Sequence, residues 1–321
     1  MAVQTIGTAG SPGTAYPTDP GRYYDRRFLD RLVPQLQFAS MGSKRPLPKN
    51  SGTLIVWHRL NKLAAAVTPL TEGTNPTEQA IATTRFTAEP LEYGAFVKMS
   101  SKLNLEAVNP VVEEVMDELS DQAALSYDAL VQTAVHGNIT NQFALGAANE
   151  AAVADTSVLN STELRKAVFL LRNGGSSISS KVTVPGFEGN MYKGVITPAQ
   201  WYDLSSATDA GSFIEIHKYN NPAPLMNGEL GQLWGVRLVL QNNYTTGTGA
   251  TDETYRAFIF GKECYGISEL SGQGIKTIRQ PAGSNGDPLE MFTTLGWKFT
   301  MASTVLDAAR GVEIYTGSSA T

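Results

Sequence analysis

Between residues 53 and 100 the chain carries two strand-forming segments separated by a stretch with almost nothing to bury. That arrangement limits how the chain can fold more than any other feature. Residues 53–59 (TLIVWHR) are β-branched and bounded by turn residues, which reads as a strand. A second extended stretch covers roughly 81–100, IATTRFTAEPLEYGAFVKMS. Between them, residues 68–78 (TPLTEGTNPTE) hold two prolines, a glycine and an asparagine, the composition of a long turn or loop tip. Paired, the two segments form an extended hairpin. A two-stranded ribbon that cannot cover its own faces is marginal in water. Something else must cover it, and a neighbouring subunit is the simplest candidate.

The strongest local signal follows. Asn109 is placed to cap a helix and Pro110 suits its first turn, with Glu113 and Glu114 near the positive end of the helix dipole. Apolar or small residues recur at Val112, Met116, Leu119, Ala123, Ser126, Leu130 and Ala134, and Gly137 is a natural stop. The pattern predicts a helix over about 110–136, ~40 Å long. A second helix is expected over 161–173, capped by Ser161 or Thr162 and ended by Gly174-Gly175. A short amphipathic one is expected over 21–37 from Tyr24, Phe28, Leu32 and Leu36. Strands are expected at 192–197, 235–240, 254–260, 275–279, 290–306 and 311–315, with a helix starting at Pro198. The order is mixed, without a strict βαβ rhythm, so a doubly wound parallel sheet is disfavoured.

Composition bears on what such a chain touches. Its 321 residues suffice for about two domains. The charged share of 17% is below the ~25% of ordinary soluble domains, which fits a surface partly buried against neighbours. The net charge of −5 is uneven. Nine basic residues, Arg22, Arg26, Arg27, Arg31, Lys44, Arg45, Lys49, Arg59 and Lys62, face only Asp25 and Asp30, so 22–62 carries +7 and the remainder −12. A basic arm on an acidic body fits a segment that faces nucleic acid or docks on an acidic neighbour; a solvated basic face accounts for the same charge. The single cysteine, Cys264, permits no intramolecular disulfide and no thiolate zinc site. No signal-peptide core opens the chain and no apolar run nears the ~18 residues of a membrane span, so folding in a reducing cytoplasm is expected. The glycosylation-type triplets at Asn138, Asn160 and Asn243 are chance matches in that setting.

Catalytic signatures are missing. His58, His136 and His217 are too far apart in sequence for a helical metal pair. Gly261-Lys262 lacks the rest of a phosphate loop, no dinucleotide fingerprint follows a strand, and Gly266-Ile267-Ser268-Glu269-Leu270 lacks the closing glycine of a nucleophile elbow. Glu72, Glu78, Asp203, Glu229 and Asp287 are scattered carboxylates, and Asp287-Pro288 after Gly283-Ser284-Asn285-Gly286 is turn chemistry. The expectation is a non-enzyme with no cofactor, metal or catalytic residue. Tyr23, Tyr24, Phe28 and Trp57 near the arginines read as core rather than base-stacking residues. Loose electrostatic contact with DNA needs only charge.

The order of elements, with three passages, resembles the Hong Kong 97 fold of tailed-bacteriophage major capsid proteins, within it the podovirus-type subfamily. The passages are Gly52–Arg59 with Thr68–Pro76, Tyr93–Ser100 leading to Leu125–Asp128, and Asn227–Arg237 with Asp287-Pro288-Leu289 and Gly296-Trp297-Lys298 later. The likeness runs over roughly 20–316. It implies an α+β fold with an N-terminal arm (1–50), an extended two-stranded loop (51–103), a peripheral domain holding the spine helix (104–209), an axial domain (210–286) and C-terminal strands completing the peripheral domain (287–321). It implies hexamers and pentamers of an icosahedral head enclosing double-stranded DNA, in a virion assembled in the bacterial host cytoplasm. The N-terminal tail is too short for a fused scaffolding domain, so a separate scaffolding protein is expected, with a portal and a decoration protein as further partners and no membrane. Pro69, Leu70, Glu72, Gly73, Asn75 and Pro76 form the expected intersubunit loop tip. Arg22, Arg26, Arg27, Arg31, Lys44, Arg45 and Lys49 form a basic arm toward a neighbour or DNA. Three other readings remain: an encapsulin-like compartment shell, a hydrolase with an unrecognised acid pair, and a minor virion protein.

Overall fold

The computed structural model describes residues 5–7, 15–17, 36–48, 54–61, 63, 65–106, 111–174, 183–187, 190–207, 229–270, 274–283 and 287–320. Its longest strand, Phe292–Val305, organises a five-stranded sheet. Leu91–Ser100 pairs antiparallel along one edge of it, from Phe292 to Met301. Lys276–Gln280 and then Tyr265–Glu269 pair antiparallel along the other. Side chains alternate across a strand, so Leu295, Trp297, Phe299 and Met301 all reach one face, and all are buried.

That face receives the spine helix, Val111–Val135. At 25 residues it is close to the expected length, while Asn109 and Pro110 lie outside the described residues. The N-terminal part of the expected stripe is present, with Leu119 and Ala123 buried. Beyond it the stripe runs one residue later than expected. Tyr127, Val131 and Val135 are buried, and Ser126, Leu130 and Ala134 sit beside the contact line. Tyr127 decides the phase: its ring lies 5.5 Å from Phe299 and its hydroxyl donates to Glu269 Oε1 at 2.6 Å. Gln122 accepts from Trp297 Nε1 at 3.0 Å. Gly137, at φ +70°, closes the helix.

A seven-stranded mixed sheet lies behind the helix. Its order is Thr140–Phe143, Gly311–Thr316, Glu253–Phe260, Tyr192–Ile196, Val236–Leu240 and Glu229–Leu233, with Gly247–Thr248 beside Glu253–Phe260. Two neighbouring pairs are parallel, Tyr192–Ile196 with Val236–Leu240 and Thr140–Phe143 with Gly311–Thr316; the others are antiparallel. Alternation divides this sheet between two cores. Val195, Val239, Phe258 and Phe260 join the spine-helix core, and Ile196, Leu238, Ile259 and Ile314 face a second core. Leu164, Ala167, Val168 and Leu171 of helix Ser161–Arg172 and Leu204 of helix Pro198–Ser206 cover the second face. Asn160, rather than Ser161 or Thr162, caps the first of these helices, accepting from Glu163 N. Thr197 and Gln200 form a reciprocal capping box on the second.

Two features differ from the expected division of the chain. Gly311–Thr316 lies inside the seven-stranded sheet, so of the C-terminal strands only Phe292–Val305 joins the spine helix's sheet. Helix Ser161–Arg172, strand Tyr192–Ile196 and helix Pro198–Ser206 pack with 229–260, and a boundary at 209/210 therefore cuts one sheet. Local patterning identifies a strand but not its distant partner. The helix expected over 21–37 lies outside the described residues up to 35; Phe38–Met41 forms one helical turn after it.

Candidate intersubunit surface

The hairpin expected from the sequence forms. Ile55–Leu60 pairs antiparallel with Thr83–Ala88, Trp57 opposite Phe86 and Leu60 opposite Thr83. Asn61 prolongs it, donating its N–H to Ala82 O at 2.9 Å and accepting from Thr84 Oγ1 at 2.8 Å. The ribbon ends after Ala88 because Pro90 has no N–H for the ladder. The chain then changes partner, and Leu91–Ser100 joins the five-stranded sheet.

Among the described residues only the root of the hairpin touches the body. Trp57 is 4% exposed. A Cβ added at Gly266 would lie 3.3 Å from its ring and from Leu306, so glycine there admits the indole. Arg59 forms an ion pair with Asp307, which Arg310 also holds at 3.1 Å. Beyond the root every described residue from Asn61 to Thr83 is exposed. Pro69, Leu70, Glu72, Gly73, Asn75 and Pro76 all lie there, around a turn in which Thr74 N donates to Thr71 O and Gly73 takes φ +76°. Val67 is 84%, Leu70 75% and Ile81 68% exposed.

The basic arm is described only from residue 36. Lys44 and Arg45 are exposed, while Arg22, Arg26, Arg27, Arg31 and Lys49 lie outside the described residues. Where the arm meets the body it is firmly held. Phe38 and Met41 are buried, Phe38 edge-on to Phe258 at 5.0 Å between ring centres. Ala39 N donates to Asp128 Oδ1 at 2.9 Å, Gln241 Nε2 to Asp128 Oδ2 at 2.6 Å, and Gln37 N to Gln241 Oε1 at 3.1 Å. Tyr265 donates its hydroxyl to Phe38 O at 2.7 Å. Ser43–Lys44 then runs parallel to Gly266–Ile267 as an edge strand. Asp128 is fully buried on the spine helix, and burial lifts its carboxyl above the ordinary carboxylate value against the lowering effect of these hydrogen bonds. Sequence reasoning passed over this clamp. Its one signal was a carboxylate beside Tyr127 on the buried side of the spine helix.

The polar residues weighed for chemistry take structural places. His136 Nδ1 lies 2.7 Å from Oε1 of the buried Glu313, whose Oε2 accepts from Gly137 N at 3.0 Å. His58 is exposed on the hairpin, and His217 lies outside the described residues. Asp203 accepts from the backbone and hydroxyl of Ser319, and Asp287 from Phe292 N at 2.8 Å. Glu72 and Glu78 are exposed. Burial pushes the Cys264 thiol well above its ordinary value, which suits packing and not nucleophilic use. Among the described residues no group of three His, Cys, Asp or Glu side chains is placed to hold a metal, and no helix is long and apolar enough to cross a membrane.

No family model matches the sequence, and no curated protein matches it. Solved structures do. The capsid of Ralstonia phage GP4 is similar at a TM-score of 0.74 and 14% identity over 98% of both chains. The capsid asymmetric unit of cyanophage Pam1 is similar at a TM-score of 0.71 and 12% identity, over 97% of this chain and 100% of that one. The fold is the Hong Kong 97 capsid fold. The capsid of Helicobacter pylori bacteriophage KHP30, at a TM-score of 0.70 and 12% identity over 92% and 95%, has it too. The capsid fold therefore persists here with little sequence identity, and the likeness runs nearly end to end.

Proposed function

We propose that this chain is the major capsid protein of a tailed bacteriophage, a structural subunit that assembles into hexamers and pentamers of an icosahedral head around double-stranded DNA. One observation carries the reading. In a chain with the capsid fold, a hairpin of some thirty residues stands off the body with its tip bare of intramolecular cover. The spine helix and five-stranded sheet serve as the peripheral domain, the seven-stranded sheet as the axial domain. The hairpin reaches over an adjacent subunit, where its strand edges and apolar side chains are covered, which also limits unwanted edge pairing. The arm's Arg22, Arg26, Arg27 and Arg31 brace a neighbour or face the packaged DNA, by charge alone and without reading sequence. A separate scaffolding protein directs assembly in the host cytoplasm, and portal and decoration proteins join the virion.

The role is structural rather than catalytic. An encapsulin-like compartment shares the assembly logic, but the similar structures reported above are phage capsids. Sedimentation and negative-stain imaging of the purified chain, with and without its scaffold, test the proposal. Capsomers or megadalton shells are expected, and nucleic acid in shells recovered from infected cells separates a phage head from a protein compartment. A chain that stays a small oligomer under all these conditions refutes it.

A further inference from the structure

Where the hairpin root meets the body, the two enclose a cavity of about 90 Å³. Three separate stretches of chain build its wall. Trp57 and Arg59 come from the hairpin, Arg45 follows the edge strand Ser43–Lys44, and Arg310 precedes Gly311–Thr316. Asp307 and Glu263 also border it. Three guanidiniums against two carboxylates leave one positive charge on the wall.

Hydrogen-bond donors are in surplus there. A guanidinium only donates, and so does an indole N–H. Both carboxylates are already engaged. Asp307 Oδ2 accepts from Arg310 Nε at 3.1 Å and pairs with Arg59, while its Oδ1 accepts from Ala309 N at 3.3 Å. Glu263 Oε2 accepts from Arg310 Nη1 at 3.3 Å. Two donors are left over. Trp57 is 4% exposed, and its Nε1–H has no acceptor among the described residues. A buried indole N–H ordinarily finds a partner. Arg45 makes no ion pair among the described residues. Its backbone is nevertheless held on both sides. Its N–H donates to Ile267 O at 2.9 Å, and its carbonyl accepts from Ser268 Oγ at 2.6 Å.

We propose that this cavity binds one small oxyanion of the phosphate type, held by the Trp57 indole N–H and the Arg45 guanidinium, with Arg59 and Arg310 as flanking charge. Water would satisfy the indole but would leave the positive charge uncompensated. The planar fork of a guanidinium matches the oxygens of a phosphate. Size narrows the ligand further. A liquid water molecule takes about 30 Å³, so the cavity suits an ion of roughly three waters' volume and is too small for a nucleotide. Bound there, the ion joins the arm, the hairpin and the body where the three meet. The assignment concerns the single chain and stands independently of assembly.

Equilibrium dialysis of the full-length chain against radiolabelled orthophosphate, at ionic strength held constant with sodium chloride, tests it. Saturable binding of one phosphate per chain is expected, with sulfate competing. Arg45→Met should weaken binding about tenfold, the loss of one charge-assisted contact. Trp57→Phe keeps an aromatic ring at the root but removes the donor, and should weaken it severalfold. Lys298→Met, a charge removed on a different sheet strand away from the cavity, should leave binding unchanged. Absence of saturable binding up to millimolar phosphate overturns the proposal, as does binding that Arg45→Met and Trp57→Phe leave intact. Equal weakening by Lys298→Met also overturns it, because the attraction would then be general to the chain's charge. Dialysis reads the same quantity from free chains and from particles, so the result does not depend on the oligomeric state.

Discussion

The spine helix and the hairpin both carry an amphipathic pattern, yet only one meets its complement within the chain. Along the helix, Leu119, Ala123, Val131 and Val135 are at most 4% exposed against the sheet. Along the hairpin, Thr84, Phe86 and Ala88 are only half-covered, and past Asn61 cover stops altogether. Fully burying a large apolar side chain contributes about 1.5–3 kcal/mol. Val67, Leu70 and Ile81, mostly exposed, contribute little of this in the isolated subunit. The helix therefore stabilises the fold of one molecule, while on the proposed reading the hairpin's apolar side chains find their cover against a second subunit. The two regions should respond oppositely to change.

Removing residues 66–79 gives the largest expected effect. Assembly should be lost, as seen by electron microscopy, while the unfolding free energy of the subunit stays within about 0.5 kcal/mol of wild type. Normal shells from this deletion would erase the contrast between the regions. Next is Phe299→Ala. Its ring stacks on Trp297 at 5.2 Å and contacts Tyr127, so truncation should cost about 3–5 kcal/mol in denaturant unfolding. Leu70→Ala, by contrast, should leave subunit stability unchanged.

Asp128→Ala is a smaller perturbation at the junction of arm and helix. It leaves Ala39 N without its acceptor and removes one of the two acceptors of Gln241 Nε2, which should cost about 1–3 kcal/mol and expose residues 36–48 to limited proteolysis. The same residue sets a pH dependence. Burial lifts its carboxyl above the ordinary value, so the folded chain holds this proton more tightly than the unfolded chain. That contribution is complete below the ordinary carboxylate range and is lost as pH rises through the lifted value. Asp128→Asn should flatten the stability curve in that window, and a curve of unchanged slope would remove Asp128 as its source. The smallest effect belongs to Arg59→Ala at the hairpin root. Its ion pair with Asp307 is partly exposed, so less than about 1 kcal/mol should be lost in urea unfolding.

What the sequence disclosed follows from how local each feature is. The hairpin was legible because Pro69, Gly73, Asn75 and Pro76 break any strand and nothing between them packs. The spine helix was legible in length, but its contact line was misread after Ala123, because Ser126 and Ala134 pass as interior residues by size while Tyr127 does the packing. Gly311–Thr316 was legible as a strand, yet its place between Thr140–Phe143 and Glu253–Phe260 depends on pairings far apart in sequence. The arm's attachment was hidden for the same reason: it joins Gln37 and Ala39 to Asp128 and Gln241. The tip residues stand exposed at the end of the hairpin, and what they touch in an assembly is not written in one chain. The cavity at the hairpin root draws Arg45, Trp57 and Arg310 from three distant segments, so no local pattern announces it.

Amide hydrogen exchange on the free chain and on assembled particles measures most directly where the hairpin finds its cover. Peptides spanning residues 61–83 should exchange at once in the free subunit and become protected on assembly, while the spine helix is protected in both. Protection of 61–83 already in the free subunit, or free exchange of that segment inside the finished shell, would contradict the account.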